Sequence, residues 1–313
     1  MARLATVFGG SGFVGRYIVR QLARDGWRVN VAVRDAEYAK FLKPMGDVGQ
    51  VTPMAVSIRD KAAVAAAVSG AEVVVNLVGV LYESGNQNFE AIHHGGAKVV
   101  AEAAAAAGAA RLVHISAIGA DAASPSLYAR TKAAGEAAVR SAFPGATIFR
   151  PSLVFGPEDG FFNRFAGLAR VMPVLPLFGG GKTRFQPVYV GDVADAVVRS
   201  LGDEKTAGQT YELGGPTIYT FRQLMELMLR EIRRKRCLVS VPFPIARLEA
   251  RLLQVLPVPP LTVDQVRLLE RDNIVAAGAP GLAELGVKPT PIESVIPSYL
   301  DRFRPGGRFS AAA

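Results

Sequence analysis

The stretch Val7-Phe8-Gly9-Gly10-Ser11-Gly12-Phe13-Val14-Gly15 decides the fold. It follows a short apolar run, Leu4 to Phe8, and leads straight into a helical pattern. The glycines fall at 9, 12 and 15, with one more at 10. A strand-to-helix turn of this kind lets the backbone approach a pyrophosphate and aims helix N-terminal N–H groups at it. The last glycine lets the helix lie close on the strand. Such a triplet alone is a weak signal, because glycine is common in turns. The strand before it and the helix after it supply the context of a dinucleotide site.

Outward from the turn, Arg16 to Asp25 reads as an amphipathic helix with Ile18, Val19 and Leu22 on one side, ended by Gly26. Arg28 to Val33 reads as a buried strand closed by Arg34. An acidic residue at this place bonds the 2′-hydroxyl of NAD, whereas an arginine accommodates the 2′-phosphate of NADP. Arg34 therefore favours NADPH or NADP+ over NAD(H). A third strand, Gln50 to Val56, runs into Ser57 and Ile58, and Lys61 to Val68 is an alanine-rich helix. Glu72 to Leu77 is a fourth strand running into Val78 and Gly79. Asn88 to Gly108 is expected as one long helix, and Arg111 to Ile115 as a fifth strand ending at Ser116. Regular alternation of strands and helices predicts a doubly wound, mainly parallel sheet of the Rossmann type. Gly9 to Gly15, Arg34, Ile58, Val78 and Ser116 all follow strand carboxyl ends, where ligands of such sheets bind.

Tyr128 and Lys132 stand four apart and share a helix face. An ammonium beside a phenol lowers its pKa and can hold a nicotinamide ribose, so the pair is a candidate acid/base set. With these residues the chain resembles the short-chain dehydrogenase/reductase superfamily, in its extended or atypical branch. The resemblance rests on the glycine turn, Asn76-Leu77-Val78-Gly79, His114-Ile115-Ser116 and Tyr128 to Lys132. Arg150-Pro151-Ser152-Leu153-Val154-Phe155-Gly156-Pro157 and Gln186-Pro187-Val188-Tyr189-Val190-Gly191-Asp192 extend it. It implies that Tyr128 is the acid/base, that Lys132 is its partner, and that the segment at Pro151 lines the nicotinamide end. Two positions depart from the pattern. Ile118 stands where a Ser or Thr is usual, which removes a hydrogen bond to a reacting carbonyl. Ser57 stands where relatives often carry an Asp near adenine.

The chain is also similar to a narrower family, the nucleotide-binding accessory subunits of respiratory complex I. His114-Ile115-Ser116-Ala117-Ile118-Gly119-Ala120-Asp121, Tyr128 to Glu136, Val241-Pro242-Phe243-Pro244 and Leu282 to Pro291 carry this likeness. It implies tightly held NADPH in a structural role, with other complex I subunits as partners. Strand residues begin by Leu4, leaving no room for the n-region and h-region of a signal peptide, so none is expected, nor a transit peptide. A bacterial-type chain on the cytoplasmic face of the inner membrane is therefore expected, or the matrix side if mitochondrial. The alternative is an active NADP-dependent reductase, epimerase or dehydratase on a small carbonyl or sugar-nucleotide substrate, with Tyr128 and Lys132 at work.

Composition narrows the rest. Half of the 313 residues are hydrophobic, which supports a sizeable core. One cysteine rules out an internal disulfide framework, and three scattered histidines make no metal site. His93 and His94 point to different helix faces and read as structural or local polar contacts. Two domains are expected: a dinucleotide-binding domain over 1–215 and a smaller, mostly helical one over 216–313. The first carries 22 Lys/Arg against 18 Asp/Glu, the second 14 against 9. The basic second part suggests an acidic partner or anionic lipid headgroups, through Arg230 to Arg236 and the proline-flanked segment Ile245 to Leu256. No recognition motif or aromatic platform points to nucleic acid. The terminal stretch 302–313 is expected to be mobile.

Overall fold

A computed structural model describes residues 3–256 and 259–307. The chain divides into two compact units, each built from three segments. Unit 1 takes residues 1–151, 190–213 and 277–288, and unit 2 takes 152–189, 214–276 and 289–313. A single cut at residue 215 therefore differs from the compact units. The chain leaves unit 1 after Pro151, re-enters at Val190, and comes back once more at Ala277.

Unit 1 is a seven-stranded sheet. Its elements are β1 (Leu4–Phe8), α1 (Phe13–Arg24), β2 (Arg28–Val33), β3 (Val51–Ala55), α2 (Lys61–Val68), β4 (Val73–Asn76), α3 (Ala97–Ala106), β5 (Arg111–Ile115), α4 (Leu127–Ala142), β6 (Thr147–Pro151), α5 (Val190–Leu201) and β7 (Thr210–Leu213). The order is β7-β6-β5-β4-β1-β2-β3, with every neighbour parallel. The central strands are continuous apolar runs, as a sheet covered on both faces requires; all four residues of β4 are buried. The strand order reverses beside β1, which lies between β4 and β2. A crevice at such a switch point, at the carboxyl ends of the strands, is where this fold holds ligands.

Local chemistry sets the helix starts. The Asp60 carboxylate accepts from the N–H groups of Ala62 and Ala63 at the head of α2, and Ser126 caps α4 through the N–H of Ala129. The alanine tract of α3 buries Ala101 and Ala104, so this helix packs close. The expected single helix over 88–108 is corrected in one respect. Glu90–Gly96 is π-helical, and the α-helix begins only at Ala97.

Unit 2 is organised by aromatic packing. Phe162 and Phe221 are buried, and Phe161, Phe165, Phe178 and Phe185 surround them. Asp159 starts the helix Phe162–Val171 by accepting from the N–H groups of Phe161, Phe162 and Asn163. Tyr299 donates to its other oxygen at 2.6 Å. Gln186 joins three segments, donating to the Gly215 carbonyl and accepting from the Val275 N–H. Thr220 and Gln223 form a capping box before Phe221–Glu231. Arg302 and Arg304 are held, by Asn163 and by the Glu231 carbonyl respectively. The expected mobile tail is thereby corrected for those residues, and residues 308–313 lie outside the described ones.

One buried ion pair distinguishes itself from the surface pairs. Arg150 grips Glu136 with two hydrogen bonds of 2.9 and 2.7 Å and also approaches Glu212 at 3.5 Å. Glu136 is almost fully buried, so removing the guanidinium strands a carboxylate in the interior. Arg150→Met should cost roughly 3 kcal/mol. Arg3→Ala, which breaks the exposed Arg3–Glu72 pair, should cost under about 1 kcal/mol. Urea denaturation of the two variants checks this, and equal losses would contradict it.

Candidate functional site

The glycine turn sits where its spacing predicts. Gly9 donates its N–H to the Ala32 carbonyl of β2, and Gly12 donates to the Gly9 carbonyl. α1 starts at Phe13 with Gly12 as its cap, and no side chain satisfies the first-turn N–H groups. A Cβ on Gly15 would lie 2.4 Å from the Gly9 carbonyl oxygen and 2.6 Å from the Gly10 Cα. No other residue permits that approach. Ser11, Phe13 and Val14 complete the turn, all half-buried.

The neighbouring strand ends meet this turn. Leu77 donates its N–H to the Phe8 carbonyl, and Asn76 turns the chain by accepting from the Val78 N–H. A Cβ placed on Gly9 would lie 3.3 Å from a Val78 methyl, so the two loops touch across the switch point. Arg34 follows β2, is exposed, and has no hydrogen-bond or ionic partner among the described residues. Ser57 follows β3 and its hydroxyl accepts from the Arg59 N–H at 3.4 Å. Ile58 is buried, with its side chain filling the space that Gly96 leaves.

Lys132 and Tyr128 lie in the first turns of α4. The ammonium donates to the Ile115 carbonyl at 3.2 Å and stands 5.9 Å from the Tyr128 ring centroid. A Cβ on Gly79 would lie 3.2 Å from the ammonium. The glycine turn, Leu77 to Gly79, Lys132, Tyr128 and the end of β5 are thus brought together. Arg34 and Ser57 stand at the next strand ends along the same edge. Pro151 ends β6, and its carbonyl accepts from the Ile118 N–H at 3.1 Å.

One expectation about this pair is overturned. The Tyr128 phenol is raised, not lowered, on balance. Burial pushes it up to about 12. Burial also lowers the Lys132 ammonium to about 8, a fall that Glu136 opposes. The low-polarity setting outweighs the charge because both groups leave water together.

Three residues that the sequence did not assign to the site shape it. His93 is buried between Phe89, stacked at 5.2 Å, and the edge of Tyr128 at 5.1 Å. The Val80 N–H donates to its Nε2 at 3.0 Å, so the proton sits on Nδ1 and is given to the Thr131 hydroxyl. His94, by contrast, is exposed and pairs with Glu90. Gly135 allows the π-helical segment to close on α4, since a Cβ there would lie 2.1 Å from the His93 carbonyl oxygen. Arg16 donates to the Ser11 and Gly12 carbonyls and lies over the Phe41 ring. Its place four residues past a turn glycine was the available signal. The contacts of His93 and Gly135 are long-range and leave no local pattern.

The residues fit a dinucleotide. The turn offers unsatisfied N–H groups in a cradle that side chains would fill. Lys132 offers an ammonium for ribose hydroxyls. The Ser116 hydroxyl is buried at the end of β5 with no partner among the described residues, which suits a polar ligand. Arg34 offers an unpaired cation. No group of metal-ligating side chains occurs among the described residues.

The sequence profile of the NAD dependent epimerase/dehydratase family matches residues 5–214. The chain is 41% identical to NADH dehydrogenase [ubiquinone] 1 alpha subcomplex subunit 9, mitochondrial, of Arabidopsis thaliana, over 97% of this chain and 79% of the relative. It is 36% identical to the NADH-ubiquinone oxidoreductase 40 kDa subunit of Neurospora crassa, over 96% of this chain and 79% of that one. Its fold is similar to dTDP-glucose 4,6-dehydratase from Streptomyces venezuelae, with a TM-score of 0.71 at 19% identity and 95% of each chain covered.

The site's electrostatics carry a pH signature. Burial, with the Lys132 charge second, lowers both His93 and His114 to about 3. Unfolding returns them to about 6.5, so below that pH the unfolded chain binds more protons and stability falls. Between pH 7.5 and pH 5 each imidazole should remove roughly 2 kcal/mol. Urea midpoints at the two pH values check this, and His93→Gln should halve the difference. A midpoint that does not move would contradict buried neutral imidazoles.

Proposed function

Because the chain belongs to the NAD dependent epimerase/dehydratase family, and within it to the family of complex I alpha subcomplex subunit 9, we propose that it is a structural accessory subunit of a complex I. In this reading it binds other subunits of NADH:quinone oxidoreductase and turns over little or no substrate of its own. The observation that carries the proposal is the near full-length likeness to that subunit, which reaches well past the 5–214 segment shared with the wider family.

A nicotinamide dinucleotide accompanies that family membership. The finer choice, NADPH over NADH, rests on Arg34. Its guanidinium is exposed, without a hydrogen-bond or ionic partner among the described residues, at the end of β2, where a 2′-phosphate would meet it. Gly9 to Gly15 would hold the pyrophosphate, Ser57 and Ile58 the adenine side, and Leu77 to Gly79, Ser116, Lys132 and Pro151 the nicotinamide side. When bound, the nucleotide supplies a hydride donor. The chain's own residues are poorly set to use it. Ile118 gives no hydroxyl at the usual position, and a phenol with a pKa of about 12 is ionised in roughly one molecule in 10⁵ at pH 7. Such a group is far from the pKa match that acid–base catalysis needs.

No described helix is long and apolar enough to cross a membrane. A peripheral place at the membrane suits that observation. We assign it to the cytoplasmic face of a bacterial inner membrane, or the matrix face of a mitochondrial one, with the basic part of unit 2 toward anionic headgroups. The retained Tyr128 and Lys132 support a second reading, an active reductase on a small carbonyl.

Two measurements test the proposal. Arg34→Asp should weaken NADPH binding by at least about tenfold, the worth of one charge-assisted hydrogen bond, and leave NADH nearly unchanged. Equal loss for both nucleotides in a fluorescence titration would remove the 2′-phosphate role. A strain lacking the chain should lose assembled complex I from its membranes, and Tyr128→Phe should restore it as well as the native chain does. Rescue that depends on the phenol would favour the reductase.

A further inference from the structure

The helix Phe243–Leu253 in unit 2 is inside out. Its inward positions are the small residues Ala246 and Ala250, both fully buried. Ile245, Leu248 and Leu252, at helical steps of three and four, share the opposite stripe. They are 51%, 59% and 69% exposed. Val255 and Leu256, just past the helix, are exposed as well. A core-facing amphipathic helix has the reverse pattern. A lone exposed leucine needs no explanation, but a continuous aliphatic stripe does.

The charges beside the stripe identify what covers it. Arg251 lies on one flank, exposed and with no ionic partner among the described residues. Arg247 is taken by Glu270 at 3.4 Å, and Glu249 lies on the other flank. The strand that leads into the helix, Cys237–Val241, comes directly from Arg230 to Arg236. There Arg230, Arg233 and Lys235 are exposed and have no acidic partner among the described residues. The surplus in this stretch of the chain is therefore cationic, and Arg251 stands on the flank of the aliphatic stripe itself. A protein partner at a stable interface is usually met by aromatic or methionine anchors, and the stripe has none. A bilayer interface asks only for apolar area and cations.

We propose that the helix Phe243–Leu253 lies in the interface of an anionic phospholipid bilayer. Ile245, Leu248 and Leu252 enter the acyl boundary, and Arg251 stays at headgroup level. The helix lies along the membrane and does not span it. This inference rests on the membrane-peripheral part of the proposed function, and is independent of the nucleotide and of turnover.

The test is co-sedimentation of the full chain with vesicles of phosphatidylcholine alone, or of phosphatidylcholine with phosphatidylglycerol. Native protein should bind the anionic vesicles and bind the neutral ones less. Leu248→Glu/Leu252→Glu should lower the partition coefficient at least about tenfold, with melting temperature and NADPH affinity unchanged because both sites are exposed. Arg251→Glu should reduce binding to anionic vesicles by about fivefold or more, as expected for reversing one headgroup-level charge. A second readout does not depend on those variants. An environment-sensitive dye on Leu252→Cys, in a Cys237→Ser background, should shift to the blue on adding anionic vesicles. Unmoved emission, or a double glutamate variant that binds as well as the native chain, would overturn the proposal. So would native protein that binds neither vesicle while still travelling with respiratory subunits. That last result would assign the stripe to a protein and leave the complex I reading standing.

Discussion

The structure of unit 1 depends on one close approach, that of α1 to the turn that precedes it. With no side chain at residue 15, the helix comes within 2.4 Å, measured from a would-be Cβ, of the Gly9 carbonyl. That approach fixes the angle at which α1 leaves β1, and so the direction of its first N–H groups. It also leaves the turn low enough for Val78 to touch Gly9 across the switch point. A residue with any side chain at 15 would lift the helix, open the turn and remove the cradle in one step. Fold and ligand site therefore share a single steric constraint.

Around that cradle the interior is polar but almost charge-neutral. His93 and His114 are held uncharged, the phenol of Tyr128 is held protonated, and Lys132 is the buried cation among them. Glu136 supports Lys132 from one turn further along α4 and is itself held by Arg150. The chain of charges reaches Glu212 on the edge strand. The two imidazoles and the phenol each keep one protonation state around neutral pH, whereas Lys132, at about 8, lies closest to it. The phenol at the candidate acid/base position, pushed up to about 12, lies far from the working pH and is a poor match for acid–base catalysis. The desolvation that raises the phenol suits the proposed reading of a nucleotide kept as a structural part.

Much of this was legible in the sequence. The strands β1, β2 and β5, the glycine turn and the placement of Arg34 after β2 follow from apolar runs and from glycine spacing, which are local signals. Tyr128 and Lys132 could be placed on one helix face for the same reason. The sign of the Tyr128 shift could not be read, because it depends on burial by Phe89 and His93, residues some 35 positions away in the chain. The π-helical turn at Glu90–Gly96 was hidden for a similar cause. Gly135, which makes room for it, lies in a different helix. The compact units also escaped a linear reading, since each gathers segments far apart in sequence. In unit 2 the apolar residues of Phe243–Leu253 were visible as a helix pattern, but the side that faces outward was set by tertiary packing on Ala246 and Ala250.

These features combine into one account. In the proposed reading, the dinucleotide fold of unit 1 keeps its nucleotide as a structural part, and the basic, aliphatic surface of unit 2 meets the membrane. Native mass spectrometry of the complex extracted from the source membranes in mild detergent tests this most directly. The account predicts that the chain appears together with other complex I subunits and carries one NADPH that survives extraction. A chain recovered apart from those subunits, or recovered with them but without nucleotide, would contradict it.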